Sequence, residues 1–308
     1  MTGATYAIER YEQAVNLLPM RLQRIARQLP DWKKERAEEL RLRAGHPLTV
    51  LLPEGEQLST EELPRILVSR GDLEQMCDAV TGYSRYAAAE TISRGYITAA
   101  GGFRIGICGT AVVRDGQSVN LKDISSAAIR IGRERRGVAE EIVPQLIEDG
   151  AFCGTLVLSP PGLGKTTLLR DMIRMLSDGG EQFAANRVAL VDERSEIALM
   201  HQGTPQMDVG CHTDVLDGCP KATAIPMVLR AMNPQIIAVD EICLAEDIRA
   251  MEMAANCGVK LLATVHADSC EELQRKPLFI SMLETGAFCK CVRIVMRDGQ
   301  RSYEVQDL

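Results

Sequence analysis

Ser159-Pro-Pro-Gly-Leu-Gly-Lys-Thr-Thr167 follows the apolar run Thr155-Leu-Val-Leu158 and precedes the helical pattern Leu168-Leu-Arg-Asp-Met-Ile-Arg-Met-Leu176. Strand, glycine-rich turn and helix in that order aim several unpaired backbone N–H groups, and the positive end of a helix dipole, at one spot suited to polyphosphate. Lys165, expected on an exposed turn, reaches the β and γ phosphates of a nucleotide there, and the Thr166 hydroxyl meets Mg²⁺. The general pattern opens with glycine where Ser159 stands, followed by Pro160 and Pro161, which stiffen the loop. Gly162, Leu163, Gly164, Lys165, Thr166 and Thr167 complete the cradle.

Downstream the chain alternates in type. Arg187-Val-Ala-Leu-Val-Asp-Glu193, Gln235-Ile-Ile-Ala-Val-Asp-Glu241, Lys260-Leu-Leu-Ala-Thr-Val-His266 and Val292-Arg-Ile-Val-Met296 read as strands. Helices are expected near 220–232, 245–256 and 270–284, with Pro226 kinking or shortening the first. Continuously apolar strands between helices predict an α/β fold with a mainly parallel sheet covered on both faces. In such sheets the ligand lies at the strand C-terminal ends, which singles out Asp192, Glu193, Asp240, Glu241 and His266. Asp240 is the expected metal partner beside the phosphate loop, Glu241 the residue that polarises the attacking water, and His266 a sensor of the γ phosphate. Arg104, Arg130, Arg194 and Arg230 are candidates for the positive charge that phosphoryl transfer needs. Arg133, Arg135 and Arg136 read more simply as a solvated linker run.

The first half reads differently. Residues 6–29 predict one amphipathic helix closed by Pro30, and Glu38 to Leu52 two strands around a turn at Gly45 to Pro47. A helix is expected over 71–88. From Tyr96 to Ile131 a series of short strands joined by tight turns follows. An α+β N-terminal domain over 1–148 and a nucleotide domain over 149–308 are therefore expected.

The chain of 308 residues carries a formal net charge of −7, the balance of a soluble globular protein and a poor one for a nonspecific nucleic-acid binder. A basic stretch from Arg21 to Arg43 fits a packed helix with a solvated face better than a membrane-surface helix. Neither a membrane-crossing run nor a secretory leader is legible, so a cytosolic protein is expected. Its ten cysteines then predict reduced, mostly buried thiols. Cys289-Lys-Cys291 lacks the spacing of common zinc knuckles.

Longer stretches carry a resemblance. Glu39-Leu-Arg-Leu-Arg43, Gly95-Tyr-Ile-Thr98, Gly101-Gly-Phe-Arg-Ile-Gly106, the phosphate loop through Asp171, Val191-Asp-Glu-Arg-Ser-Glu-Ile197, Asp208-Val-Gly210, Thr213-Asp-Val-Leu-Asp217, Cys219-Pro-Lys221 and Val239-Asp-Glu-Ile242 resemble the stage III sporulation AA family of endospore-forming bacteria. That family is related to the type II and type IV secretion ATPases, and its loop also opens with the serine seen at Ser159. The resemblance implies a RecA-like P-loop core that hydrolyses ATP with Mg²⁺ and works as a homo-oligomeric, hexameric ring. It further implies peripheral attachment to the membrane on the mother-cell side, powering assembly or transport through the membrane proteins of the channel between mother cell and forespore.

By the same resemblance Asp192 and Glu193 form an acidic box, His266 belongs to a histidine box, and Arg104 and Arg130 are first-domain arginines that reach the phosphates. Cys243, Leu244 and His212 depart from the family pattern, which implies weaker communication between subunits. Two other readings stand beside the motor: a nucleotide-gated structural ring with little hydrolysis, and a RecA-class nucleic-acid motor, which the acidic balance disfavours.

Overall fold

Leu40 and Leu42 alternate with Arg41 and Arg43, and that period of two builds the first strand of the N-terminal sheet, with the leucines buried. The computed structural model describes residues 3–58, 66–82, 89–132, 135–160, 162–297 and 300–308. It divides into two units, Met1–Arg133 with His201–Gln206, and Glu134–Met200 with Met207–Leu308.

The first unit opens with α1 (Gly3–Val15), α2 (Met20–Ala26) and α3 (Asp31–Arg36). The first two replace the single helix expected over 6–29, and α3 starts beyond Pro30. Pro19 interrupts the apolar period: it lacks an N–H and disfavours helical geometry at Leu18, so the chain restarts with Pro19 as the cap of α2. Strands β1 (Glu39–Arg43), β2 (Thr49–Leu52) and β3 (Gly55–Leu58) follow. Helix α4 (Arg70–Val80) answers to the helix expected over 71–88 but ends in a turn at Thr81 and Gly82, where Gly82 has φ of +60°; residues 83–88 lie outside the described residues. After α5 (Ala89–Ser93) come β4 (Tyr96–Ala99), β5 (Phe103–Arg114) and β6 (Gln117–Arg130).

The first of the expected short strands is β4, ahead of the Gly101–Gly102 turn, and the rest merge into one long hairpin, β5 with β6, whose register shifts between Cys108 and Thr110. Gly109 sits in that irregularity, where a Cβ would fall 2.6 Å from the Lys122 carbonyl oxygen. The six strands lie in the order β3-β2-β1-β6-β5-β4, every pair antiparallel. One face buries Leu40, Leu42, Val50, Ile105 and Ile129 in a core shared with Tyr11, Leu22 and Leu73 from the helices.

The second unit begins before the expected boundary at 148. Ala139, Ile142, Val143 and Leu146 are buried in one core with Leu168, Leu169 and Met172, so this apolar segment belongs to the phosphate-loop helix. A small hairpin of β7 (Ile147–Glu148) and β8 (Ala151–Phe152) leads to β9 (Thr155–Leu158) and α6 (Lys165–Asp178). Then come β10 (Val188–Asp192), β11 (Thr213–Asp217), α7 (Lys221–Met232), β12 (Ile236–Val239), α8 (Ala245–Asn256) and β13 (Lys260–Val265). The unit closes with α9 (Cys270–Arg275), α10 (Pro277–Glu284), β14 (Lys290–Arg297) and β15 (Gln300–Asp307). Pro277 splits the helix expected over 270–284. By contrast α7 continues through Pro226, which the sequence reading expected to kink or shorten it.

The sheet runs β11-β10-β12-β13-β9-β14-β15, parallel throughout except for the final antiparallel pair. Every residue of β9, β10 and β12 is buried. Helices α7, α8 and α10 supply one core and α6 the other, giving the expected α/β layering with both faces covered. No described helix is long and apolar enough to cross a membrane.

Four cysteines (Cys77, Cys153, Cys270, Cys291) are buried and five are exposed, so the expectation of mostly buried thiols does not hold. Small polarisable side chains are tolerated on both sides of the surface.

Candidate functional site

Strand β13 lies between β9 and β12, and this order sets the geometry of the site. The phosphate loop follows β9, His266 follows β13, and Asp240 and Glu241 follow β12, so the imidazole stands between the loop and the two carboxylates. Lys165, which opens α6, turns back into this space. Its Nζ donates to the Ser159 carbonyl at 2.9 Å and the Pro160 carbonyl at 3.2 Å, and lies 2.8 Å from His266 Nδ1. The lysine is 8 % exposed, not on an exposed turn. Burial pushes its ammonium pKa down, against the pull of Asp240 and Glu241.

The lysine ammonium can only donate, so Nδ1 accepts and the imidazole proton sits on Nε2. Nε2 lies 3.2 Å from Glu241 Oε1, and Glu241 Oε2 takes Arg194 Nη1 at 2.5 Å. Four side chains thus form one line: Lys165, His266, Glu241, Arg194. Glu241 has φ of +45°, a conformation uncommon outside glycine and asparagine. Its N–H donates to the Thr264 hydroxyl at 2.8 Å, and that hydroxyl donates to Asp240 Oδ1 at 2.6 Å. Burial raises the Asp240 pKa, the Thr264 bond opposes that, and Glu196 and Glu241 add to it.

The loop's own conformation follows from its glycines. Gly164 caps α6 with φ of +94° and Gly162 has φ of +81°. Ser159 is fully buried, its hydroxyl donating to the Pro160 carbonyl at 2.8 Å. Leu163, Thr166 and Thr167 are half-buried. Pro161 lies outside the described residues.

The remaining sequence candidates take different places. Asp192 is 1 % exposed and accepts the N–H groups of Glu196, Ile197 and Ala198 at 2.9, 3.0 and 2.9 Å. Both its oxygens are spent on fixing that turn. Burial pushes its carboxyl up to about 6, although the three donors pull the other way. Glu193 faces Lys221, Oε2 to Nζ 2.5 Å. Burial raises the Glu193 pKa, but this buried lysine wins and holds it below the usual carboxylate range.

Arg104 and Arg130 belong to the first unit. The Arg104 guanidinium lies 4.1 Å from the centre of the Tyr96 ring, and Arg130 Nε is 3.5 Å from Glu39 Oε1. Arg230 is exposed on α7, and Arg136 pairs with Asp208 at 3.0 Å. Arg133 lies outside the described residues. His212 anchors the end of α6, its Nδ1 3.0 Å from the Ser177 carbonyl oxygen.

Two contributors escaped the sequence pattern. Thr264 was hidden inside an apolar strand. Lys221 lies in Cys219-Pro-Lys221, where nothing in the pattern marks it as the partner of Glu193. Strand β15 escaped as well, although the alternation of Tyr303 and Val305 with polar neighbours could have revealed it.

A magnesium ion fits this set. Among the described residues no cluster of three or more His, Cys, Asp or Glu could hold a metal unaided, yet Mg²⁺ is commonly held by one or two protein oxygens plus substrate phosphates. Asp240, half-buried with Thr264 as its one hydrogen-bond donor, is a carboxylate that gains from a cation. Thr166, on the first turn of α6, offers the second oxygen.

An all-but-parallel sheet with a phosphate loop on one strand and an acidic pair two strands away defines the RecA-like P-loop class of α/β proteins. The solved structures with this fold include the Legionella pneumophila ATPase DotB (17% identity, TM-score 0.57, covering 92% of this chain and 78% of that one) and the pilus retraction motor PilT with bound ADP (17%, 0.61, 88% and 79%). Residues 8–306 match the family described as Sporulation stage III, protein AA, and the chain belongs to that family. Over 292 residues it is 33% identical to Stage III sporulation protein AA of Bacillus subtilis (strain 168), covering 93% of this chain and 92% of the relative.

Proposed function

We propose that this chain is a P-loop ATPase of the secretion type, which hydrolyses ATP to ADP and phosphate and turns the cycle into motion between copies of itself. The line Lys165, His266, Glu241 is the observation that carries this reading. It joins a polyphosphate-binding cation to a candidate base through a ring able to report on what lies between them.

Lys165 is held by carbonyl oxygens and an imidazole, neutral partners that a polyphosphate outcompetes as a charged acceptor. When the lysine turns to phosphate, His266 Nδ1 loses its donor and the ring is free to meet the γ-phosphoryl group. Glu241 takes a proton from the attacking water, and Arg194 keeps that carboxylate oriented. Mg²⁺, held by Thr166 and Asp240, would supply charge neutralisation on the phosphate oxygens. Glu193 orders the pocket wall through Lys221. Arg104 and Arg130 are proposed to reach phosphate from the first domain. The proposed working form is a hexameric ring attached peripherally to the membrane on the cytoplasmic, mother-cell side, acting on the membrane proteins of the sporulation channel.

Steady-state phosphate release tests this. Glu241→Gln should lower turnover about 10²- to 10⁴-fold, the span of a general base, with ATP affinity retained. Turnover equal to wild type removes the assignment. A second reading, a nucleotide-gated ring with little hydrolysis, is favoured by one observation: both Glu241 oxygens are already engaged, by His266 and Arg194. Negligible phosphate release by wild type, with ATP-dependent change in particle mass, selects it.

A further inference from the structure

β15 carries a cation for which the proposed cycle has no task. Tyr303 and Val305 pack against the core on the α6 side of the sheet. Side chains two apart on a strand share a face, so Arg301 faces the α6 side as well. Its height along the sheet follows from the register. Leu158, the last residue of β9, lies opposite Arg293, whereas β14 runs on to Arg297 and Arg301 pairs with Met296. Arg301 therefore stands beyond the C-terminal end of β9, level with the phosphate loop. Its Nη1, Cζ and Nη2 lie 2.9, 3.3 and 3.7 Å from the position a Cβ would take on Gly164.

The electrostatics of that place are unfavourable without an anion. Arg301 is exposed and makes no side-chain hydrogen bond or ion pair with another described residue. Its guanidinium sits at the positive end of a 14-residue helix, one residue from the buried Lys165. Both repel it. A polyphosphate on the loop reverses the sign of each interaction, and Gly164, without a side chain, leaves the fork its place beside the loop backbone.

We propose that Arg301 is a polyphosphate-binding residue, acting within its own chain on the nucleotide that Gly162, Gly164 and Lys165 cradle. This rests on the nucleotide function proposed above and adds to it a cation from the far edge of the sheet. The β14–β15 hairpin then becomes part of the pocket and feels whether the pocket is filled.

The test is calorimetric titration of the full-length chain with Mg-ATP and, separately, with inorganic tripolyphosphate, using wild type, Arg301→Gln and Arg301→Lys. Arg301→Gln should weaken both ligands about 10- to 100-fold, the effect of one charged hydrogen-bonded contact, and leave the ligand-free melting temperature unchanged. Arg301→Lys keeps the charge but loses the fork, and should weaken both about threefold to tenfold. Wild-type affinity in the folded variants overturns the proposal and leaves the nucleotide function standing. Loss for ATP alone, with tripolyphosphate unaffected, also overturns it, since the contact would then be to base or ribose. Absence of ATP binding by wild type removes the nucleotide function itself. If Arg301→Gln does not fold, Arg301→Lys decides by the same two titrations.

Discussion

Thr264 donates its hydroxyl proton to Asp240 across 2.6 Å from a position with no solvent exposure. The same oxygen accepts the Glu241 N–H, so one hydroxyl in β13 fixes both residues of the acidic pair that follows β12. Thr264→Val keeps the shape and removes both bonds. It should cost about 1–3 kcal/mol, the desolvation penalty of leaving buried polar groups unpaired, measured by urea unfolding. Thr264→Ser should recover most of that loss, and equal stability of the valine and serine variants would refute this role.

Lys165→Ala should abolish tight Mg-ATP binding, with affinity down by at least about tenfold. In the absence of nucleotide the same change should leave the melting temperature unchanged or raise it. The ammonium is buried, its pKa is pushed down, and its partners are neutral, so its removal relieves a desolvation cost. A variant that unfolds at lower temperature and binds ATP normally would contradict both parts.

The pH dependence of Asp192 has a definite sign. Folded, it holds its proton up to about pH 6, against an ordinary aspartate value of 3.8. The folded state therefore binds more protons between those values, so this group's contribution is full below pH ~4 and lost as pH rises through ~6. The unfolding free energy of wild type relative to Asp192→Asn should fall by about 2 kcal/mol between pH 4 and 7. A difference that stays flat across that range sinks the assignment.

Gly154→Ala should destabilise the second unit by more than about 2 kcal/mol. A Cβ there would fall 1.9 Å from the Ala287 carbonyl oxygen, and the Gly154 carbonyl already accepts the N–H groups of Cys289 and Lys290. The clash is with backbone, which a rotamer change cannot relieve. Thermal unfolding of the variant at the wild-type midpoint would show the approach to be looser than this.

Legibility followed the physics of each segment. The phosphate loop and the strand ends at Asp240, Glu241 and His266 were readable because a buried parallel strand is a short apolar run that stops at a polar residue. Pro19 was overlooked because the apolar spacing on either side of it stays in phase, while the missing N–H breaks the helix all the same. β11 escaped because Thr213-Asp-Val-Leu-Asp217 is an edge strand with little burial and so no apolar run. Asp192 looked like a chemical carboxylate, yet local N–H donors claim both its oxygens. What no pattern announces is pairing across distance, such as Thr264 with Asp240 or Arg301 with Gly164, which depends on register alone.

The insertion of β13 has a consequence for coupling. Adjacent strands are spaced about 4.8 Å apart, so two spacings separate the strand that feeds the cradle from the strand that feeds the carboxylates, and a single five-membered ring spans the gap. Both contacts hang on the same side chain, so any turn of that ring about its own bonds is felt by the cradle and by the carboxylate alike.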